Sequence, residues 1–303
     1  MGIKIILLII FFAVMAAVGI YSRRHVTSVD GFVLGGRSVG PWLTAFAYGT
    51  SYFSAVVFVG YAGQFGWKYG IASTWIGIGN ALIGSLLAWV VLGRRTKVMT
   101  QHLGSRTMPD FFGERYKSKS LKITASVIVF VFLIPYTASV YNGLSRLFAM
   151  AFNIPYTWCV VTMAAFTALY VILGGYMATA INDFIQGIIM LIGIVAVIAA
   201  VLNGQGGFMN AIAEMAKIPS DVPLTQGQPG AFTSFFGPDP VNLLGVVLLT
   251  SLGTWGLPQM IGKFYAIKDE KSISTGTIIS TIFAIIILSL IHISEPTRPI
   301  SIS

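Results

Sequence analysis

The feature that most constrains this chain is a series of eight apolar segments, each about as long as a helix that crosses a bilayer. Such a helix needs about 20 predominantly apolar residues. We therefore predict an all-α, polytopic membrane helix bundle. The segments lie at roughly 2–21, 41–66, 71–93, 121–152, 156–175, 183–203, 241–262 and 273–293.

The composition excludes a soluble domain. Hydrophobic residues make up 55% of the chain and charged residues 10%, and the mean hydropathy is +0.82. A soluble domain needs far more polar surface than this. The single cysteine, Cys159, lies in an apolar segment, so we interpret it as a packing residue. A disulfide framework and a Cys/His metal cluster are both excluded.

The net charge of +9 is explained by topology, and we expect no nucleic-acid partner. Fourteen of the 19 basic residues fall in the alternate loops 22–40, 94–122 and 263–272. Basic loops stay in the cytoplasm, where they meet anionic lipid. We therefore predict a multi-pass protein of the bacterial cytoplasmic (inner) membrane with its N-terminus outside. Arg23 and Arg24 follow the first segment, which argues against a signal peptide.

Outside the apolar segments, two short helices and an unusual tail are predicted. The Gly- and Pro-rich segment 204–240 reads as an extracellular loop with a short helix at about 208–217. Residues 108–116 are predicted to form an amphipathic helix at the inner surface. Residues 290–299 resemble a translated sequencing adapter, so we interpret residues 289–303 as a non-native tail; a natural polar tail is the alternative.

Two of the predicted spans are interrupted near their centres. The second contains AYGTSYFS at 47–54, and the seventh contains TSLGTWGLP at 250–258. Gly costs about 1 kcal/mol in a helix interior and Pro about 3 kcal/mol. Paired interruptions in a transporter typically leave main-chain carbonyls that hold a cation at the midplane.

Side chains in the first interruption suit an alkali cation, although close packing is the alternative. The hydroxyls of Thr50, Ser51 and Ser54 are hard oxygen ligands. Small residues also let membrane helices approach each other closely, and one such run alone would favour packing. Two runs five spans apart favour a site.

Two further candidates lie in other spans. Asp183 opens the predicted sixth span, and an intramembrane carboxylate is a functional candidate. Asn182 and Asp183 also stand where a helix N-cap belongs, so capping is an equal alternative. Tyr136 follows Pro135, which bends the fourth span. Its ring would line a solute cavity or pack in the bundle.

Several motifs, in order along the chain, together resemble the sodium:solute symporter family. They are FVLGGRS at 32–38, the interrupted second span, GGYMATAINDFIQG at 174–187, and GLPQM at 256–260 followed by Lys263 and Phe264. The family includes the bacterial proline, pantothenate and monocarboxylate symporters and the sodium–sugar carriers. The resemblance runs from about residue 1 to residue 288.

The resemblance implies a leucine-transporter-like scaffold, in which two inverted repeats follow one leading helix. On that plan the chain is an N-terminal fragment truncated after about eight spans. We expect residues 1–288 to form one transmembrane domain. Its expected parts are a leading helix at 2–21, the first repeat at 41–203, the extracellular loop at 204–240 and the start of the second repeat at 241–288.

The resemblance also implies residue roles. Main-chain carbonyls of Thr50 and Phe53 would bind the metal ion, Na⁺, and Asp183 matches an aspartate linked to sodium coupling. Tyr136 and Trp255 match aromatic residues on the substrate side. The expected solute-binding set is Ser51, Tyr52, Ser54, Tyr136 and Trp255.

The implied function is sodium-coupled secondary active transport of a small organic solute, of the carboxylate, amino-acid or vitamin class. Tyr52 stands where proline-type members carry an aspartate, which argues against proline. An enzyme is not expected, because Asp183 is the only carboxylate within any predicted span. A transporter-like sensor module and an inactive fragment are the alternatives.

Overall fold

The computed structural model describes residues 2–53, 62–204 and 206–294, and the described chain is almost entirely helical. Thirteen α-helices are described. They are α1 Gly2–Ser22, α2 Val29–Leu34, α3 Pro41–Tyr52, α4 Ala62–Tyr69, α5 Thr74–Gly79, α6 Arg94–His102, α7 Met108–Tyr116, α8 Lys119–Phe152, α9 Tyr156–Gly204, α10 Phe208–Ala216, α11 Pro240–Gly253, α12 Pro258–Ala266 and α13 Glu270–Ser294.

The predicted membrane bundle is confirmed. Five described helical stretches are long and apolar enough to cross a membrane, and a sixth is added if the bent pair α11–α12 counts as one span. At about 1.5 Å per residue, α9 alone would reach about 74 Å, more than twice the hydrocarbon thickness. It breaks at Gly175, which supports two spans. The predicted second span is described only at its ends, by α3 and α4.

Gly175 has a backbone that other residues rarely adopt. Its φ of 54° and ψ of −148° are non-helical, and a Cβ there would lie 2.8 Å from the carbonyl oxygen of Phe32. Glycine meets both demands because it has no side chain. The helix resumes directly after the break. The gap between the predicted spans 156–175 and 183–203 was expected to be a loop, and this is wrong, because residues 176–182 are helical.

The third span changes its winding in the middle. After α5, residues Asn80–Leu87 and Trp89–Gly93 form π-helix, and α6 continues to His102. The helix therefore continues nine residues beyond the predicted end of this span at residue 93. π-Helix is rare and is often found at functional sites.

The core lies where α3, α9 and α13 meet the π-helical segment. Phe46, Tyr48, Trp89, Phe264 and Phe283 are buried there. The short helices α7 and α10 confirm the two predicted outside the apolar segments.

The beginning of α3 is joined to the end of α12 on one side of the bundle. The amide of Val39 donates to the carbonyl of Ala266 at 3.3 Å, and the amide of Lys268 donates to that of Val39 at 2.9 Å. Arg37 donates to the carbonyl of Ser105 at 2.6 Å. These bonds tie the two interrupted spans to the loop before α7.

Candidate functional site

The first interruption begins where α3 ends. Gly49 is helical and packs against Phe283, since a Cβ there would lie 2.5 Å from that ring; at this glycine the packing alternative is correct. The backbone leaves the helical region at Phe53, whose amide still donates to the carbonyl of Gly49. The carbonyl end of a helix carries a partial negative charge that attracts cations.

Predicted ligands at this end are only partly described. Residues 54–61 lie outside the described residues. Ser54, a predicted solute ligand, is among them, so its assignment stays a prediction. The hydroxyl of Thr50 donates to the carbonyl of Phe46 at 2.9 Å within its own helix. The Phe53 side chain is buried, so a role for Thr50 and Phe53 would use their main-chain carbonyls.

The second interruption is confirmed. Helix α11 ends at Gly253, Thr254–Gly256 form one 3-10 turn, and Leu257 is extended. Pro258 then opens α12, where its missing amide costs nothing. The two helices are bent by 52°.

A buried polar cluster brings the two interruptions together. The hydroxyl of Tyr52 lies 2.5 Å from the side-chain oxygen of Asn80 and 3.2 Å from the carbonyl oxygen of Thr250. The amide of Asn80 donates to the hydroxyl of Thr250 at 3.0 Å, and Ser251 approaches Asn80 at 3.5 Å. We call Tyr52, Asn80, Thr250 and Ser251 the junction cluster.

The π-helical segment supplies the acceptors around this cluster. Trp255 donates from its indole nitrogen to the carbonyl of Ile83 at 3.1 Å, and Tyr48 donates to that of Gly84 at 3.0 Å. A Cβ on Gly84 would lie 1.9 Å from the Tyr52 hydroxyl, so only glycine leaves room for it. Tyr52 and Trp255, both predicted to bind solute, are held by partners within the chain.

A cavity of about 730 Å³ lies between α9 and α12. Tyr176, Thr179 and Asp183 line it from one face of α9, and Ser51 reaches it from the end of α3. Residues of α12 and the loop before α7 also line it: Gln259, Gly262, Lys263, Arg106 and Thr107. The cavity therefore connects the first interruption with a loop predicted to be cytoplasmic.

Asp183 is paired inside this cavity. Lys263 Nζ lies 3.3 Å from its Oδ2, and the two side chains are 8% and 23% exposed, in the order Lys263, Asp183. The same ammonium lies 5.4 Å from the centre of the Tyr176 ring. Asp183 and Asn182 stand well inside a helix, so the N-cap interpretation is wrong.

Tyr136 lies in a second cavity, of about 500 Å³, with a mainly apolar lining. Gly256, Leu257 and Pro258 of the second interruption share this cavity with it. Pro258 lines both cavities, so they adjoin. The structure thus places Ser51 and Asp183 in one cavity, Tyr136 in its neighbour, and Tyr52 and Trp255 against the π-helical segment.

Two ion pairs lie next to the lining residues 106–109 of the larger cavity. Arg106 contacts Asp30 at 2.5 Å, and Lys122 contacts Asp110 at 2.6 Å. Burial acts to raise the pKa of Asp110, but the hydrogen bond and charge of Lys122, together with hydrogen bonds involving Thr107 and the backbone of Arg106, outweigh burial, and the pKa lies below its ordinary value. Asp110 is therefore ionised at neutral pH.

Three residues of the site were missed in the sequence. Asn80 is an amide in an otherwise apolar stretch, which is a usable signal. Gln259 lines the larger cavity, and its buried amide atoms have no partner among the described residues. Lys263 was assigned to a cytoplasmic loop because it is basic; it lies within α12, mostly buried.

Comparison with known proteins gives one family. A sequence model of the sodium:solute symporter family matches residues 32–295. Sodium/proline symporters of Staphylococcus aureus strains JH9 and COL are each 33% identical over 274 residues, covering 88% of this chain and 50% of theirs. The chain thus spans about half the length of the curated relatives it matches.

A solved structure shares the fold. It is a Na⁺-coupled sialic acid symporter in a substrate-bound outward-open state, with a TM-score of 0.71 and 18% sequence identity. The match covers 94% of this chain and 58% of that one.

Proposed function

The chain belongs to the sodium:solute symporter family, and on that premise we propose that its protein couples sodium entry to uptake of a small organic solute. One observation carries the proposal: Tyr52 at the end of α3 contacts Thr250 at the end of α11. Two interrupted spans that meet are the usual arrangement for ion and solute sites in transporters. Alternating access would expose this site to each side in turn.

We assign the sodium to the carbonyl end of α3. The carbonyls of Thr50 and Phe53 lie at this end, where the helix dipole favours a cation. Asp183 lies in the cavity that Ser51 also lines, so it would receive the ion on its way to the cytoplasm. Family membership supports Na⁺ as the ion.

We propose that the solute carries a carboxylate. The relatives are named for proline and the structural neighbour for sialic acid, and both compounds are carboxylic acids. Ser51 and Ser54 would contact the solute first. Tyr52, Trp255 and Tyr136 would join them only after a rearrangement, since two are hydrogen-bonded within the chain and Tyr136 lies in the neighbouring cavity.

The domain plan and the orientation are part of the proposal. We place the leading helix at 2–21, the first repeat at 41–203, the extracellular loop at 204–240 and the start of the second repeat at 241–288. The tail 289–303 remains assigned as non-native. With the N-terminus outside a bacterial inner membrane, the part of the cavity lined by Arg106 would lie on the cytoplasmic side, and we propose that this conformation is an inward-facing state.

The sodium gradient supplies enough energy for uptake. Each positive charge gains about 2.3 kcal/mol from 100 mV of membrane potential. A tenfold concentration ratio of solute costs about 1.4 kcal/mol. For a solute with no net charge, such as zwitterionic proline, one sodium ion per solute at 100 mV would therefore support more than tenfold accumulation from the potential alone. A monoanionic solute would cancel that charge, and its uptake would rely on the sodium concentration gradient or on further sodium ions.

The test is uptake by vesicles that contain the protein encoded by the complete gene. Labelled proline, sialic acid and a panel of other small carboxylates are offered with an inward gradient of sodium or, as control, potassium. We expect at least one carboxylate to accumulate only with sodium. Equal accumulation in both salts, or none with any carboxylate, would refute the proposal.

A further inference from the structure

Asp183 forms an ion pair with Lys263. Of the ion pairs in residues 2–53, 62–204 and 206–294, Asp183–Lys263 alone joins two side chains that are both less than a quarter exposed. Each of the others includes a side chain that is nearly half exposed or more. A mostly buried pair beside a transport cavity calls for a functional explanation.

The pair is held by one contact. The distance of 3.3 Å from Lys263 Nζ to Asp183 Oδ2 is longer than the usual 2.7–2.9 Å of a charged hydrogen bond. In the described chain, Lys263 is the one side chain recorded within hydrogen-bonding distance of Asp183. The other carboxylate oxygen is therefore available to a second cation.

The ammonium group of Lys263 has a second favourable contact, the ring of Tyr176. Tyr176, Thr179 and Asp183 line the cavity from α9, and Lys263 Nζ is 5.4 Å from the Tyr176 ring centre. An aromatic face attracts a cation at this range, and a lysine stem is long and flexible. Lys263 can leave the carboxylate without losing every favourable contact.

We propose that the ammonium group of Lys263 pairs with Asp183 when no sodium ion is bound there, and that it exchanges with the sodium ion as that ion leaves. This inference rests on the proposed function. Sodium reaching Asp183 pushes the ammonium toward Tyr176, and the returning ammonium then expels sodium into the cavity. Asp183 thus acts as a release point and is never left as an unpaired charge.

The charge of Lys263 must weaken sodium binding at Asp183. Two cations a few ångströms apart repel each other even when water screens them. Removing the lysine charge would leave a bare carboxylate that holds sodium more tightly. The proposal therefore predicts tighter sodium binding together with slower turnover, a combination that a purely structural ion pair would not produce.

The experiment measures sodium-dependent uptake, by the protein from the complete gene, across a range of sodium concentrations. Lys263→Met keeps the stem and removes the charge, and Lys263→Arg keeps the charge as the matched control. For Lys263→Met we expect the half-saturating sodium concentration to fall at least about fivefold, with a lower maximal rate. For Lys263→Arg we expect a value near that of the wild type.

A background that lacks the Asp183 charge keeps the proposal testable if Lys263→Met alone does not fold. Asp183→Asn removes the carboxylate, so adding Lys263→Met should leave the half-saturating sodium concentration of Asp183→Asn unchanged. A change in this background would overturn the proposal, as would unchanged sodium dependence in a folded Lys263→Met protein. The proposed function fails separately, if wild-type uptake is the same in sodium and potassium.

Discussion

The hydroxyl of Tyr52 lies 3.2 Å from the main-chain oxygen of Thr250, although 198 positions separate the two residues in the sequence. Tyr52 is the last residue of α3, and Thr250 lies in the last turn of α11. The contact joins the ends of two helices that stop inside the bundle. It brings the side chain at the end of α3 against a main-chain oxygen in the last turn of α11, and interrupted helices that meet in this way are typical of ion-coupled transporters.

Gly84→Ala should disrupt this junction. The new methyl group would lie 1.9 Å from the Tyr52 hydroxyl, so the tyrosine must move. Overpacking of this kind costs about 1–3 kcal/mol. We expect a lower unfolding temperature of the detergent-solubilised protein and reduced uptake. Gly193→Ala is the control, because nothing lies within 4 Å of its added methyl group; an equal effect of both would contradict this assignment.

Asn80→Leu should weaken the same cluster by removing its central amide. Asn80 is 5% exposed and bonds Tyr52, Thr250 and the carbonyl of Ile76. Losing buried partners costs about 1–3 kcal/mol. Chemical unfolding in detergent measures the loss. Asn210→Leu is the control, since that exposed amide bonds only within its own turn; wild-type stability in Asn80→Leu would show the cluster to be incidental.

Arg37→Gln should loosen the contact between the turn before α3 and the loop before α7. The guanidinium caps the carbonyls of Ser105 at 2.6 Å and Thr100 at 3.5 Å. A hydrogen bond from a charged group contributes about 1.5–3 kcal/mol. We expect faster proteolysis of the loop at 103–107. Arg94→Gln breaks an exposed pair with Glu270 worth at most about 1 kcal/mol, and should change proteolysis little.

Thr179→Cys should react with hydrophilic thiol reagents added from the cytoplasm. Thr179 lines the larger cavity, and the native Cys159 is the only cysteine, so Cys159→Ala gives a clean background. Ser73→Cys is the negative control, because that side chain is fully buried. Labelling from the periplasmic side alone would reverse the proposed orientation.

Much of the fold followed from hydropathy because each span must satisfy its own backbone in lipid. The seventh span's interruption was predictable for the same reason: Gly253, Gly256 and Pro258 weaken a helix wherever they occur. The role of Gly49 stayed open in the sequence, since a glycine in a membrane helix serves close packing equally well. Only the contact of Gly49 with Phe283 distinguishes a packing glycine from one that interrupts the helix.

The site was less predictable because its contacts join distant parts of the chain. Nothing local to Lys263 shows that it faces Asp183; its sequence neighbours suggested a basic loop. The left-handed break at Gly175 likewise depends on the backbone of Phe32. The N-cap interpretation of Asp183 failed because hydropathy began the sixth span at residue 183, whereas the helix resumes directly after Gly175.

The most direct test asks whether sodium acts at the end of α3 when no solute is present. Ser51→Cys in the Cys159→Ala background places a reactive thiol beside the proposed ion site, and its alkylation rate is measured in sodium and in potassium at equal ionic strength. The account predicts that sodium slows alkylation with a saturable dose dependence, while potassium does not. Identical rates in the two salts would contradict it.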